Sequence, residues 1–163
     1  MKEYKTTIIS PETPPPAMPT GLKVLYTFDA FGHDDGKKLT EADLQQLIHN
    51  IQQADKVSVF LSPHDDVETA IGEEFFQIEI DNRWIAIQYV VGDTSPDGYF
   101  CSCFDPDYLD SDEESPMVPG DCQSIIPKKY TMHDPKLAAE CVEYFARTGK
   151  LYPGMAWLRQ EAL

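Results

Sequence analysis

Six carboxylates fall within ten residues in the stretch Phe104-Asp-Pro-Asp-Tyr-Leu-Asp-Ser-Asp-Glu-Glu114. They are Asp105, Asp107, Asp110, Asp112, Glu113 and Glu114, and Tyr108 and Leu109 stand among them. No Lys or Arg occurs between Arg83 and Lys128. A run of like charge is in the simplest case a solvated face. This run is internal and carries an aromatic and an aliphatic side chain. Carboxylates around an aromatic suit the gripping of a cationic groove, because the charges steer the encounter and the ring supplies desolvated contact. These eight residues are the candidate partner-binding set.

Other residue groups offer metal chemistry. His33-Asp34-Asp35 and His64-Asp65-Asp66 repeat one tripeptide of metal-ligand types, so a small metal-dependent hydrolase is one alternative reading, beside a non-catalytic adaptor module that uses the proline-rich arm. Both copies fall in expected loops, and no His-Glu-x-x-His helix motif accompanies them. Asp110, Asp112, Glu114 and Asp121 match offsets of a calcium loop, but Ser115 stands where that loop needs Gly, and Pro116 and Pro119 intrude. Weak calcium binding stays open; an EF-hand is not expected. Cys101 and Cys103 are two apart and share a face of an expected strand, whereas zinc sites pair cysteines two to four residues apart, twice over. Cys122 and Cys141 stand singly. The cysteines read as buried thiols, with no metal, disulfide or other cofactor expected. No Gly-x-Ser-x-Gly, phosphate-cradling loop or zinc-deaminase motif occurs. No catalytic residue is assigned, and the chain reads as a non-enzyme.

The overall charge agrees with a basic partner. Thirteen Lys and Arg face twenty-eight Asp and Glu, a formal charge of −15 in 163 residues. Such a field repels nucleic acid and anionic membranes and draws in basic surfaces. The first residues, Met-Lys-Glu-Tyr-Lys-Thr-Thr-Ile-Ile-Ser, have no secretory character, and no apolar run reaches membrane-spanning length. Reduced thiols in a cytoplasm are expected.

The elements that must hold these residues follow from periodicity and punctuation. Residues 1–20 carry five prolines and are expected to form an extended arm; residues 21–163 are expected to form one domain. Leu22 to Phe28 reads as a strand. Thr40 caps a helix over 41–54 with Leu44, Leu47, Ile48 and Ile51 on one stripe. Val57, Val59 and Leu61 share a strand face. Phe75 to Ile80 and Trp84 to Val91 form a hairpin around Asp81-Asn82. The second of these strands is almost continuously apolar and is expected to be central, covered on both faces. Tyr99 to Phe104 is a further strand, and 105–122 is a long polar loop. A second helix starts at Asp134 with Pro135 in its first turn and stops at Gly149. The sum is an α+β fold: a mostly antiparallel sheet of about five strands with two main helices on one face.

The C-terminal part carries a recognisable pattern: Ile126-Pro127-Lys128-Lys129-Tyr130-Thr131-Met132, then a helix with Ala138, Ala139, Val142, Phe145 and Thr148-Gly149, then Pro153 and Trp157. Over residues 123–159 this resembles the first-numbered Imm family of immunity proteins, whose members accompany deaminase-type polymorphic toxins. Pro153 stands four residues after Gly149, where the family pattern places Pro three after. The resemblance implies a non-enzymatic antitoxin that covers a cognate toxin. It also implies structural roles for Gly149, Pro153 and Trp157, and Trp84 is expected to be structural as the first residue of the central strand. The functional expectation is therefore a monomeric, cytoplasmic immunity protein that blocks a basic toxin domain, a nucleic-acid deaminase or nuclease, with its acidic surface.

Overall fold

A two-residue turn organises the middle of the chain. Asn82 and Arg83 both adopt positive φ, 49° and 70°, the backbone that closes a tight hairpin with the right strand twist. The turn therefore sits one residue later than Asp81-Asn82, and Asp81 pairs with Trp84. It joins β5 (Glu74–Asp81) to β6 (Trp84–Val91), which stay in register over their full lengths. The computed structural model describes residues 4–23, 25–28, 36–53, 55–92, 97–119 and 124–162.

Around this hairpin the chain forms one antiparallel sheet. The other strands are β1 (Tyr4–Ile9), β2 (Tyr26–Phe28), β3 (Lys37–Lys38), β4 (Lys56–Ser62), β7 (Tyr99–Ser102) and β8 (Trp157–Ala162), in the spatial order β1-β8-β7-β6-β5-β4-β2-β3. The fold is α+β, but among the described residues the sheet has eight strands where about five are expected from the sequence. The three additional strands carry little apolar pattern. β1 is Tyr-Lys-Thr-Thr-Ile-Ile and is exposed along its length. β3 is two lysines, and β8 is mostly polar after Trp157 and Leu158. Backbone pairing, not burial, makes these segments strands. Within the proline-rich arm, β1 runs antiparallel to β8, and Glu12 N–H donates to the Pro153 carbonyl at 2.8 Å.

Three α-helices are described, where two main ones are expected. α1 (Glu41–Gln53) opens with a reciprocal cap: Asp43 N–H donates to Thr40 Oγ1 and Thr40 N–H donates to the Asp43 carboxylate. The additional helix, α2 (Val67–Glu73), is short and is capped by Asp66, whose carboxylate accepts from Thr69 N–H at 3.0 Å and Thr69 Oγ1 at 2.8 Å. α3 (Pro135–Thr148) is capped by Asp134, with Pro135 in its first turn. It ends at Gly149, whose φ of 74° favours a residue without Cβ and whose N–H closes on Phe145 O.

Strand parity divides the sheet. Val57, Leu61, Phe76, Ile78, Ile80, Ile85, Ile87 and Cys101 face α1 and α3 and form the main core with Leu44, Leu47, Ile51, Ala138, Val142 and Phe145. Phe76 stacks on Phe145 at 4.5 Å. Arg147 ties the two helices together through a bidentate pair with Glu41 (2.7 and 3.1 Å), a bond to Glu143 and another to the Gly21 carbonyl. The Arg147 hydrogen bond is the main cause that holds the Glu41 carboxyl below the usual carboxylate range. The opposite face of β4 to β7 carries Ser58, Phe60, Gln77, Glu79, Ala86, Gln88 and Ser102. It is covered by the excursion from the end of β7 to α3.

Trp157 is 1 % exposed and donates its indole N–H to the Tyr152 carbonyl at 2.9 Å. Trp157→Ala removes a large core side chain and should lower unfolding stability by ~3–5 kcal/mol. Chemical denaturation measures this directly; an unchanged unfolding midpoint would contradict the placement.

Candidate functional site

The excursion that carries the acidic stretch is a folded ridge, not a slack loop. It leaves the sheet through Cys103, whose N–H donates to the Ile87 carbonyl. Asp105 then caps a single 3-10 turn over Pro106–Tyr108, accepting from Asp107 N–H at 3.0 Å. A backbone bond from Ser111 N–H to Tyr108 O continues the bend. Residues 113–115 run antiparallel beside 126–128: Lys128 N–H donates to Glu113 O and Ser115 N–H to Ile126 O, both at 2.9 Å. Asp105 N–H donates to Lys129 O at 3.0 Å. Thus both ends of the acidic stretch are pinned to the Lys128–Tyr130 segment, itself a 3-10 turn.

Side chains reinforce the pinning. Lys128 Nζ lies 2.7 Å from Glu113 Oε1, 5.2 Å from the Tyr108 ring centre and 5.8 Å from that of Trp84. The Glu113 bond raises the Lys128 ammonium above the ordinary lysine range, against a smaller opposing effect of desolvation. On the alkaline side the pair is therefore kept through the ordinary lysine range and lost only as pH rises above it. Lys129 Nζ stands 3.8 Å from Asp112 Oδ1. These are the next cations in the sequence after Arg83, and they were the one signal that a partner for the acids lay within the chain.

Two ammonium groups against six carboxylates leave the ridge acidic. Asp107, Asp110 and Glu114 are exposed, and among the described residues no cation lies within ion-pair distance of them. Tyr108 and Leu109 are half-buried. Tyr108 is therefore partly occupied by its own protein, as the lid over Lys128. Trp84 sits beside the same lysine and meets His133 edge-on at 4.5 Å. Gly149, Pro153 and Trp157 lie elsewhere, at the end of α3, in the following turn and at the start of β8.

Among the described residues the metal candidates do not assemble. Asp66 of the second His-Asp-Asp triplet caps α2, and its carboxylate is engaged by Thr69. The first triplet, 33–35, lies outside the described residues, as do Asp121 of the calcium pattern and Cys122. Among the described residues, no group of three His, Cys, Asp or Glu side chains converges to hold a metal. Cys101, Cys103 and Cys141 are buried thiols. Burial pushes Cys101 up to about 11 and Cys103 up to about 12, so neither is a ready nucleophile or ligand. No helix among the described residues is long and apolar enough to cross a membrane.

Comparison with known proteins finds no matching family model, no matching curated protein and no matching solved structure.

The pinning has a measurable consequence. Lys128→Met removes the ammonium but keeps the stem, so the amides of Ser115 and Lys128 should lose hydrogen-exchange protection while the thermal midpoint barely moves, as for exposed ion pairs in general. Unchanged protection at both amides would show that the backbone ladder alone holds the ridge.

Proposed function

We propose that this chain is an immunity protein that binds and neutralises a basic toxin domain, with the acidic ridge Asp105–Glu114 as part of the contact. One observation carries the reading: the most acidic segment of a −15 chain is held in a fixed shape with its outer carboxylates exposed. A mobile acidic tail would lose conformational entropy on binding, and a ridge already ordered loses less. A toxin acting on nucleic acid needs a cationic cleft, and closely spaced carboxylates on a ridge are complementary to it. The resemblance of residues 123–159 to the Imm pattern supports the same class. A nucleic-acid deaminase or nuclease is the kind of toxin this surface fits, acting where the immunity protein acts, in the cytoplasm. No cofactor enters the reading, and the chain meets its toxin as a monomer.

The ridge divides the work between its charges and its ring. Exposed ion pairs contribute only ~0–1 kcal/mol each, so the carboxylates mainly orient and accelerate the encounter. Tyr108 and Leu109 supply the anchor once Lys128 turns toward solvent or toward the partner. The test is co-expression with the toxin candidate encoded beside this chain's gene. The wild type should restore growth and co-purify with it. Charge reversal of Asp110, Asp112, Glu113 and Glu114 to Lys should mainly slow association and flatten its salt dependence while the fold is retained. Tyr108→Ala should speed dissociation on the order of 30-fold, the equivalent of about 2 kcal/mol for a ring that fills a pocket. Full protection by both folded variants would mean that the contact lies elsewhere.

A further inference from the structure

The sheet ends at β1. This strand pairs with β8 residue for residue, from Tyr4 opposite Ala162 to Ile9 opposite Trp157. Among the described residues no strand pairs with its other side. In an antiparallel pair alternate residues exchange both backbone bonds with their neighbour, so every second residue of β1 turns its N–H and its carbonyl outward. Proteins guard such an edge with proline, a bulge, a covering element or charge. Within Tyr4–Ile9 there is no proline, the register with β8 is unbroken by a bulge, and Lys5 is the one charge. The open edge is as long as an ordinary strand.

What this edge presents differs between its two faces. Ser102 stands opposite Leu158 and Leu158 opposite Ile8; Phe100 stands opposite Gln160 and Gln160 opposite Thr6. Tyr4, Thr6 and Ile8 therefore lie on the face turned away from α1 and α3. Tyr4 meets Phe100 edge-on at 5.6 Å, yet Tyr4 and Ile8 remain 44 % and 50 % exposed. Lys5 lies on the other face, opposite Glu161. Aromatic and β-branched side chains at alternate positions are what a further strand packs against.

The acidic ridge is the neighbour of this edge. β7 ends at Ser102, in line with Leu158 and Ile8, and the excursion departs from the next residue, Cys103. The segment that pins the ridge is tied to β1 through one glutamine: the Tyr130 hydroxyl donates to Gln160 Oε1 at 3.1 Å, and Gln160 Nε2 donates to Thr6 Oγ1 at 3.4 Å. An acidic rim thus adjoins an uncharged, partly apolar stretch, the arrangement of a specific protein interface.

We propose that β1 takes up an extended edge strand of the same basic toxin domain that the ridge contacts. The incoming backbone pairs with the outward N–H and carbonyl groups of β1, and apolar or β-branched side chains at its alternate positions pack on Tyr4 and Ile8. The toxin's cationic side chains fall to the ridge, because beside β1 they would meet Lys5. The inference rests on the toxin-binding reading and adds to it an uncharged contact that slows dissociation after the carboxylates have steered the encounter.

The probe is the purified basic toxin domain that the wild-type chain co-purifies with. Hydrogen exchange followed by NMR should find alternate amides of Tyr4–Ile9 exchanging fast in the free chain and at least tenfold more slowly in the complex. Ile8→Glu separates pairing from steering. It adds a carboxylate, so a contact held by charge alone would tighten, whereas a strand packed on Ile8 should dissociate at least tenfold faster with its association unslowed. If that variant fails to fold, exchange in the wild-type complex decides. β1 amides as fast in the complex as in the free chain, or folded Ile8→Glu binding as tightly as the wild type, would overturn the inference and leave the ridge contact standing. A wild-type chain that binds no basic toxin domain would overturn both. Concentration-dependent protection of the same amides in the free chain, with a dimer in sedimentation, would overturn it in favour of a second copy of this chain.

Discussion

The register of the central hairpin is the constraint on which the rest of the molecule depends. Because side chains alternate along a strand, a slip of one residue between β5 and β6 would send every side chain of one strand to the other face. The two-residue turn at Asn82-Arg83 removes that freedom by fixing Asp81 opposite Trp84. From this pair outward, Ile80 meets Ile85 and Ile78 meets Ile87 on the helix side, while Glu79 and Gln77 meet Ala86 and Gln88 on the other. Apolar burial under α1 and α3 then rewards only that register. The polar face is its unavoidable counterpart.

The acidic ridge inherits its position from the same hairpin. The excursion that carries it departs from β7 with Cys103 bonded to Ile87 and returns with Met132 exchanging two backbone bonds with Ile85. Between these fixed points, Lys128 gathers Glu113, Tyr108 and Trp84 around one ammonium group. A cation in the middle of an acidic segment has two effects. It neutralises part of the charge, and it makes the remaining carboxylates a surface of defined shape. Shape is what separates a specific partner surface from a merely soluble one.

Much of this architecture is legible in the residues. Thr40 with Asp43, Asp134 with Pro135, and Gly149 announce two helices because capping is a local matter of hydrogen bonds and φ angles. The central hairpin is legible because Ile78, Ile80, Ile85 and Ile87 alternate. β1 and β8 are not legible, because Tyr4–Ile9 pairs with Trp157–Ala162 across the whole sequence and β8 pairs with β7 on its other side, and no local pattern requires either. The one-turn shortness of 106–108 and the seven residues of α2 lie below what periodicity resolves. The partnership of Lys128 with Glu113 and the gathering of Ser58, Gln77, Glu79, Gln88 and Ser102 on one face of the sheet are also long-range. Each residue alone reads as an ordinary polar strand or loop position.

The role proposed for the ridge is that of a preformed electrostatic surface for a basic protein partner. The most direct measurement is the association rate constant with a candidate basic toxin domain as a function of ionic strength. Surface charges are screened beyond ~8 Å at physiological salt and ~3 Å at 1 M, so a contact steered by Asp107, Asp110, Asp112 and Glu114 must slow steeply across that range. The rate should fall at least tenfold between 0.01 M and 0.5 M salt, and distinctly less steeply when those four residues are neutralised to Asn or Gln. An association rate that is indifferent to salt in the wild type, or equally salt-dependent in the neutralised variant, would contradict it.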